Sequence, residues 1–329
     1  MLTLEKSKEA KEICKIVGGR KQSLYYYPIE DIRYMNSVED LHAFNTQDFR
    51  DNFEITKTQA TQIFDILNGD DANVEIPNSL HTKYFAIKRF IKNSLMTSMD
   101  LSDTKQSFRI DFEDNLNFTG HMILASSTQA GKTHFIVQQL LRALKKPREI
   151  RRNIIYLSSE WHKDKTVQPL KDPKYHEYVE GIGISDNDIP ETGTKLQYFE
   201  EIRGKLLGAK RGTIVVADDS MDSFAPHEFR HLFDKMLRTS RHDSVSLCLI
   251  FHSIKSGVFT SQGMNSVRYL VIFPRSQKMK VQSFINKDLG IPIRETRRLL
   301  RKISQTGRSL ILRMHSPECI IGEKFLQLL

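Results

Sequence analysis

The first chemistry legible in this chain lies in eight consecutive residues, Ser126, Ser127, Thr128, Gln129, Ala130, Gly131, Lys132 and Thr133. They follow the apolar run HMILA and precede the apolar-periodic stretch FIVQQLL, so they occupy a strand-to-helix turn. Such a turn binds phosphate because several backbone N–H groups converge on it and the helix N-terminus adds positive potential. Gly131 lets the backbone approach closely, Lys132 supplies a point charge for β- and γ-phosphates, and Thr133 offers its hydroxyl to Mg²⁺. His134 extends the nucleotide-binding stretch onto the first helical turn. Ser126 stands where the pattern has glycine; its Cβ restricts the turn geometry, but a small residue can still fit there. Lys132, read as an exposed loop lysine, is expected to contribute little to stability. A plain strand-to-helix turn would also show Gly-Lys-Thr; the placement between strand and helix favours the phosphate loop.

The run TIVVADDS ends a second strand on two acids, Asp218 and Asp219. An acid at the carboxyl end of a parallel strand sits in the crevice where such sheets bind ligands. Asp218 is expected to hold Mg²⁺, and Asp219 to orient or deprotonate an attacking water; a pair of solvated acids capping the next helix is the plain alternative. Glu160, in YLSSEW, is the substitute base. His252 ends the strand VSLCLIF and is read either as a γ-phosphate sensor or as an ordinary polar residue. Arg241, in SRHD, is the candidate arginine finger, because a guanidinium stabilises charge spreading over a transferred phosphoryl group. Arg238 and Arg268 compete for that role, and a solvated surface arginine is the simpler reading.

These residues need a sheet to bring them together. After Asn117, fully apolar runs (HMILAS, NIIYLS, TIVVAD, VSLCLIF, YLVIF) alternate with helical stretches near 197–207 and 228–237. That alternation predicts a buried parallel sheet with crossover helices. A helix near Arg294–Ile303 then precedes SLILRM and ECIIGEKF, which read as a β-hairpin. Residues 1–115 read as an N-terminal α+β region with helices over Ile55–Leu67 and Tyr84–Met96, a turn at NGDD and a strand over Gln106–Phe112. The expected domains are therefore 1–115, an ATPase core over 116–274, and a basic extension over 275–329.

With 329 residues, 39% hydrophobic and 27% charged, the chain reads as soluble and globular. No apolar run approaches the roughly 18 residues that span a bilayer, and the charged start MLTLEKSKEAKE does not read as a signal peptide. Cys14, Cys248 and Cys319 form no CxxC pair, so neither a zinc knuckle nor a disulfide framework is expected. The net charge of +9 is uneven: residues 1–115 carry 15 Lys and Arg against 19 Asp and Glu, whereas 275–313 carry 11 basic residues and two acidic ones. A basic half favours a polyanionic partner, most simply nucleic acid. Arg294, Arg297, Arg298 and Arg301 fall on one helical face that could touch phosphates, be solvated, or meet an acidic neighbour.

The motif order is a phosphate loop, a further strand, an acidic pair, then RH before a strand ending in a polar residue. It resembles the FtsK–HerA superfamily of DNA-pumping P-loop ATPases. Within it, TIVVADDSMDS followed by LRTSRHDSVSLCLIFHS is similar to the poxvirus-type genome-packaging ATPases of large DNA viruses and virophages. The resemblance covers roughly 118–274. It departs at His252, where those proteins usually carry Gln, and at Ser126. It implies an additional-strand, RecA-like α/β P-loop NTPase with sheet order 5-1-4-3-2 and a homo-oligomeric ring. It also implies ATP between subunits with an arginine supplied in trans, and double-stranded DNA driven into a preformed capsid, so that capsid proteins are partners. Such a protein works inside the host cell at the viral assembly site or with the virion, and is not secreted. A helicase and a non-catalytic P-loop scaffold stay open as rivals, whereas a GTPase is disfavoured because it would usually show an NKxD-type reader absent from this sequence.

Overall fold

Four of the five apolar runs predicted from the sequence become strands buried on both faces, as a sheet covered by helices on each side requires, and the fifth, YLVIF, is half-buried at Tyr269. The computed structural model describes residues 2–4, 10–26, 46–68, 76–87, 98–112, 119–252, 265–274, 278–287 and 290–329. The chain begins with β1 (Leu2–Thr3), β2 (Lys11–Val17), β3 (Gln22–Tyr26), α1 (Thr46–Phe53), α2 (Lys57–Asn68), α3 (81–87), β4 (Ser98–Asp100) and β5 (Ser107–Arg109). The phosphate-loop region follows with β6 (His121–Ala125), α4 (Lys132–Leu144), β7 (Ile154–Ser158) and β8 (Val179–Gly183). Then come α5 (Lys195–Leu207), β9 (Ile214–Asp218), α6 (Pro226–Thr239), β10 (Ser246–Phe251) and β11 (Val267–Ile272). The chain closes with α7 (Lys278–Lys287), α8 (Ile293–Thr306), β12 (Leu310–Arg313), β13 (Cys319–Ile321) and β14 (Phe325–Leu328).

Two compact units result, one from Met1–Ile13, Gln22–Asp100 and Leu328, the other from Cys14–Lys21, Leu101–Gln327 and Leu329. In the first, β1 pairs antiparallel with β3. Phe49, Ala60, Ile63 and Ile87 form a fully buried centre between the three helices. Helix α2 begins at a reciprocal cap in which Gln59 N donates to Thr56 Oγ1 (3.2 Å) and Thr56 N donates to Gln59 Oε1 (3.0 Å). The NGDD turn beyond Asn68 and the helix expected over 88–96 lie outside the described residues.

In the second unit the strands run in the order β14-β13-β12-β11-β6-β10-β9-β7-β8. Strands β11, β6, β10, β9, β7 and β8 are mutually parallel. Numbered from the phosphate-loop strand and leaving out β8, the core reads 5-1-4-3-2, the order of the additional-strand P-loop NTPases. One sheet face (Ile123, Ile155, Val215, Leu249) packs on Ile202 of α5, Phe229 and Phe233 of α6, Ile285 of α7 and Leu300 of α8. Strand alternation sends Leu124, Tyr156, Val216, Asp218 and Ile250 to the other face, and α4 reaches Asp218 there through Thr133.

The fold differs from the expected one at three places, and the first has a local cause. Strand β8 was not expected, because its sequence VEGIG carries two glycines and no apolar run. Both glycines are forced by neighbours. A Cβ on Gly181 would lie 1.8 Å from Trp161 Cε2, and one on Gly183 would lie 2.2 Å from Asp188 Oδ1. The C-terminal hairpin is present as β12 and β13, paired antiparallel. It extends the main sheet through an antiparallel pairing of β12 with β11 and continues into a third strand, β14. Helix α7 also precedes the expected one.

Candidate functional site

Register aligns the carboxyl ends of the central strands: Phe251 and Ile272 both pair with Ala125, while Asp218 pairs with Ile250 and Ser158. The loop after β6, the acidic pair after β9 and His252 after β10 therefore emerge at one end of the sheet, outside the strand termini where open α/β sheets bind ligands.

The loop is built by two left-handed residues, Gln129 (φ 62°) and Gly131 (φ 101°). Ser126 is not one of them. Buried, it continues the strand by donating its N–H to Phe251 O (3.1 Å). A small residue fits at this position, and the positions that demand a glycine-like backbone lie three and five residues later. The first α4 hydrogen bond runs from Phe135 N to Gly131 O (2.9 Å). The N–H groups of Lys132, Thr133 and His134 therefore lack intrahelical acceptors. Gly131 offers no side-chain cap, and the first turn carries no acid that would compete for them. Ser127 and Ala130 are half-buried, whereas Thr128, Gln129 and His134 are exposed.

Lys132 is buried, not exposed as expected. Its Nζ donates to Ser126 O and Ser127 O, both at 2.9 Å, and lies 3.4 Å from His252 Nδ1. Burial lowers its pKa, opposed by the charges of Asp219 and Asp218. Thr133 Oγ1 donates to Asp218 Oδ2 at 3.0 Å, joining the first turn of α4 to the end of β9. Tyr156 OH donates to the same oxygen at 2.8 Å. Burial, and then the neighbouring Asp219 charge, push the Asp218 carboxyl up to about 6; Tyr156, Thr133 and Lys132 only partly offset this. The Tyr156 hydroxyl is itself pushed up by burial and by Asp218, so it stays protonated and donates.

Asp219 sits in the left-handed region (φ 53°), a conformation aspartate tolerates better than most residues. Its Oδ1 lies 2.8 Å from His252 Nε2. On the other side of that ring, Nδ1 faces the hydroxyl of Thr128 (3.3 Å) and the ammonium of Lys132. The ammonium can only donate, so a hydrogen bond from it makes Nδ1 the acceptor. Burial raises the Asp219 carboxyl, while His252 and Lys132 pull it back. Asp222 Oδ2 lies 4.0 Å from His252 Nε2.

Lys132, Thr133, Asp218, Asp219 and His252 thus converge with Ser126 and Ser127. Glu160 is exposed on the loop after β7, where its N–H bonds Ser158 Oγ. The three arginines do not join the cluster. Arg241 is exposed in the turn before β10, and about 20 Å of strand separates that turn from His252. Arg238 ion-pairs with Asp234 at 3.0 Å. Arg268 occupies a register shift at the start of β11, donates to Thr119 O (3.2 Å) and lies against Gly120. On α8, Arg294, Arg297, Arg298 and Arg301 are all exposed, while Thr296, Leu299, Leu300 and Ile303 are buried.

Sequence reasoning missed Tyr156. A tyrosine inside an apolar strand reads as core, and only the strand register reveals that it shares a face with Asp218. Oxygen donors on Thr133 and Asp218, one neutral and one anionic, suit a hard cation such as Mg²⁺. No helix among the described residues is long and apolar enough to cross a membrane.

No family model and no curated protein matches the chain. Among solved structures, the genome packaging NTPase B204 from Sulfolobus turreted icosahedral virus 2 in complex with AMP is similar at 15% identity. It covers 64% of this chain and 98% of its own, with a TM-score of 0.42. The pCW3 conjugation coupling protein TcpA with ATPγS is 15% identical, covering 69% and 66%, at a TM-score of 0.39. The cytoplasmic domain of the Thermomonospora curvata Type VII secretion ATPase EccC is 13% identical, covering 70% and 28%, at 0.43. These likenesses concern chain path alone; the strand order 5-1-4-3-2 and the loop between β6 and α4 make the chain an α/β P-loop NTPase fold.

Proposed function

We propose that the chain is a P-loop ATPase that drives double-stranded DNA into a preformed viral capsid as a homo-oligomeric ring. It would work inside the host cell at the viral assembly site, in contact with capsid proteins. The observation that carries the ATPase reading is the joint between loop and acid: Lys132 and Thr133 open α4, and Thr133 meets Asp218 on the adjacent layer at 3.0 Å. The motif resemblance and the exposed arginine face of α8 support the DNA reading.

In this mechanism the N–H groups at the start of α4 bind the phosphates, and Lys132 exchanges its two loop carbonyls for phosphate oxygens. Thr133 and Asp218 would hold Mg²⁺, which would supply neutralisation of phosphate charge. Asp219 accepts a proton from the attacking water. His252, tied to both Asp219 and the loop, registers whether the γ-phosphate is present. Arg241 acts from a neighbouring subunit.

The test is steady-state ATP turnover with and without double-stranded DNA, with Lys132→Ala as control. The expected result is turnover stimulated by duplex DNA and abolished in the variant. Near-normal turnover in folded Lys132→Ala would sink the phosphate-loop assignment. Turnover indifferent to DNA would sink the translocase reading. A helicase separates strands of a labelled duplex, whereas the proposed motor moves along it intact.

A further inference from the structure

We infer that Tyr156 is a positioning residue that fixes the Asp218 carboxylate for metal binding, with Trp161 bracing the tyrosine ring. The inference rests on the ATPase reading above and adds a residue with no place in it. Tyr156 pairs with Val216 across β7 and β9, so its side chain shares a face with Asp218 two residues on. The diagonal brings Tyr156 OH to Asp218 Oδ2 at 2.8 Å, and Thr133 Oγ1 occupies the same oxygen at 3.0 Å. Two donors on Oδ2 fix the carboxylate's rotation and leave Oδ1 as the oxygen for a further ligand. Core packing alone would be served by phenylalanine. Tyr156 is fully buried, so its hydroxyl must have a partner there. That partner is the carboxylate.

The tyrosine is itself held. The Trp161 ring lies 5.4 Å from the Tyr156 ring, centroid to centroid, and Lys171 Nζ sits 4.7 Å over Trp161. Gly181 makes room for the indole, since any Cβ there would overlap it. Trp161 is the only tryptophan of the chain. A relay therefore runs from a natural fluorophore through Tyr156 to Asp218. Groups that orient a metal-binding carboxylate are typically worth about 10- to 100-fold in metal affinity.

The experiment measures calorimetrically how far Mg²⁺ tightens a non-hydrolysable ATP analogue, for the wild type, Tyr156→Phe, Asp218→Asn and the double variant. Without Mg²⁺, the wild type and Tyr156→Phe should bind equally, because Lys132 and the loop carry that affinity. The Mg²⁺-dependent gain should fall about tenfold in Tyr156→Phe, and Tyr156→Phe should cost nothing further once Asp218 is Asn. Equal gains in the wild type and Tyr156→Phe, or additive losses in the double variant, would overturn the positioning role. A wild type that binds no nucleotide would overturn the phosphate-loop reading instead. Should Tyr156→Phe not fold, wild-type Trp161 emission decides. It is expected to change with Mg²⁺ and analogue together and not with analogue alone; identical responses would overturn the relay.

Discussion

Burial and the neighbouring Asp219 charge make an ionised Asp218 costly in the fold. They push its folded carboxyl up to about 6, from 3.8 ordinarily. Because the folded value lies above the unfolded one, the native state keeps a proton that the unfolded chain has already released. Stability therefore falls as pH rises from about 4 to about 6, and the penalty is fully present above that window, on the order of 2–3 kcal/mol. We expect Asp218→Asn to melt higher than the wild type at pH 7.5 without nucleotide, by about 1–2 kcal/mol after lost hydrogen bonds are allowed for. It should also flatten the melting profile between pH 4 and 6 while impairing Mg²⁺ binding. A variant that melts lower at pH 7.5 would contradict this account. Asp219→Asn should behave differently, leaving nucleotide binding intact and cutting hydrolysis by about 10²-fold or more. Single-turnover assays beside binding isotherms separate the two. Exchanged phenotypes would reverse the roles, and silence from both would turn attention to Glu160. Much of this site was legible from spacing: Gly131, Lys132, Thr133 and Asp218 are identified by local pattern. What spacing hides is contact across strands. It could not show that Lys132 folds back onto Ser126 and Ser127, nor that a core-like tyrosine belongs to the site.

At the scale of elements, legibility followed how each strand is buried. Strands β6, β7, β9 and β10 are buried on both faces and announce themselves as apolar runs. Strand β8, at the sheet's edge, spends two of its five residues on glycine to admit Trp161 and Asp188, so it carries no such run. That reading is testable. Gly181→Ala must expel the indole, and we expect a loss of about 1–3 kcal/mol, as overpacking of a filled site gives, with a red-shifted Trp161 emission. An unaltered melting point and spectrum would mean that the indole has room to move. Helix α8 was legible over Arg294–Ile303, most of its length, because its two faces differ so sharply. Leu299, Leu300 and Ile303 anchor it, while Arg294, Arg297, Arg298 and Arg301 lie on the exposed side. Replacing Arg297 and Arg298 by Ala should therefore leave the fold intact. If that face touches duplex DNA, each lost phosphate contact should reduce the log–log salt slope by about 0.9 and weaken all sequences alike. Fluorescence anisotropy across a salt series reads this directly. An unchanged slope would assign the arginines to solvent or to an acidic neighbour.

At the scale of the molecule, the distribution of arginines constrains how a complete site can arise. Lys132, Asp218 and Asp219 gather at the carboxyl end of the sheet. Arg241 lies before the amino end of β10, Arg238 is paired with Asp234, and Arg268 is engaged with Thr119. A single chain, in the arrangement of its described residues, therefore brings none of these three arginines to its own loop. An arginine that stabilises the transferred phosphoryl group has to come from another copy if one of them serves. Arg241 lies exposed and without an ion pair of its own among the described residues, in the turn before β10, and as a trans finger it would be useless in its own site and essential to the next. Arg241→Ala alone should bind ATP and hydrolyse it poorly, and Lys132→Ala alone should bind none. Mixing the two inactive proteins creates some interfaces with Lys132 intact on one side and Arg241 intact on the other. Activity should return in proportion to those interfaces, because the stabilisation by a trans arginine is large and local, on the order of 10³-fold or more. An arginine acting in its own subunit cannot produce that rescue, since every site in the mixture would still lack either its lysine or its arginine. Light scattering on mixed samples verifies that subunits exchange. With exchange confirmed, a mixture that recovers no hydrolysis would rule out Arg241 as the trans finger, and the same complementation would then be run on Arg238 and Arg268.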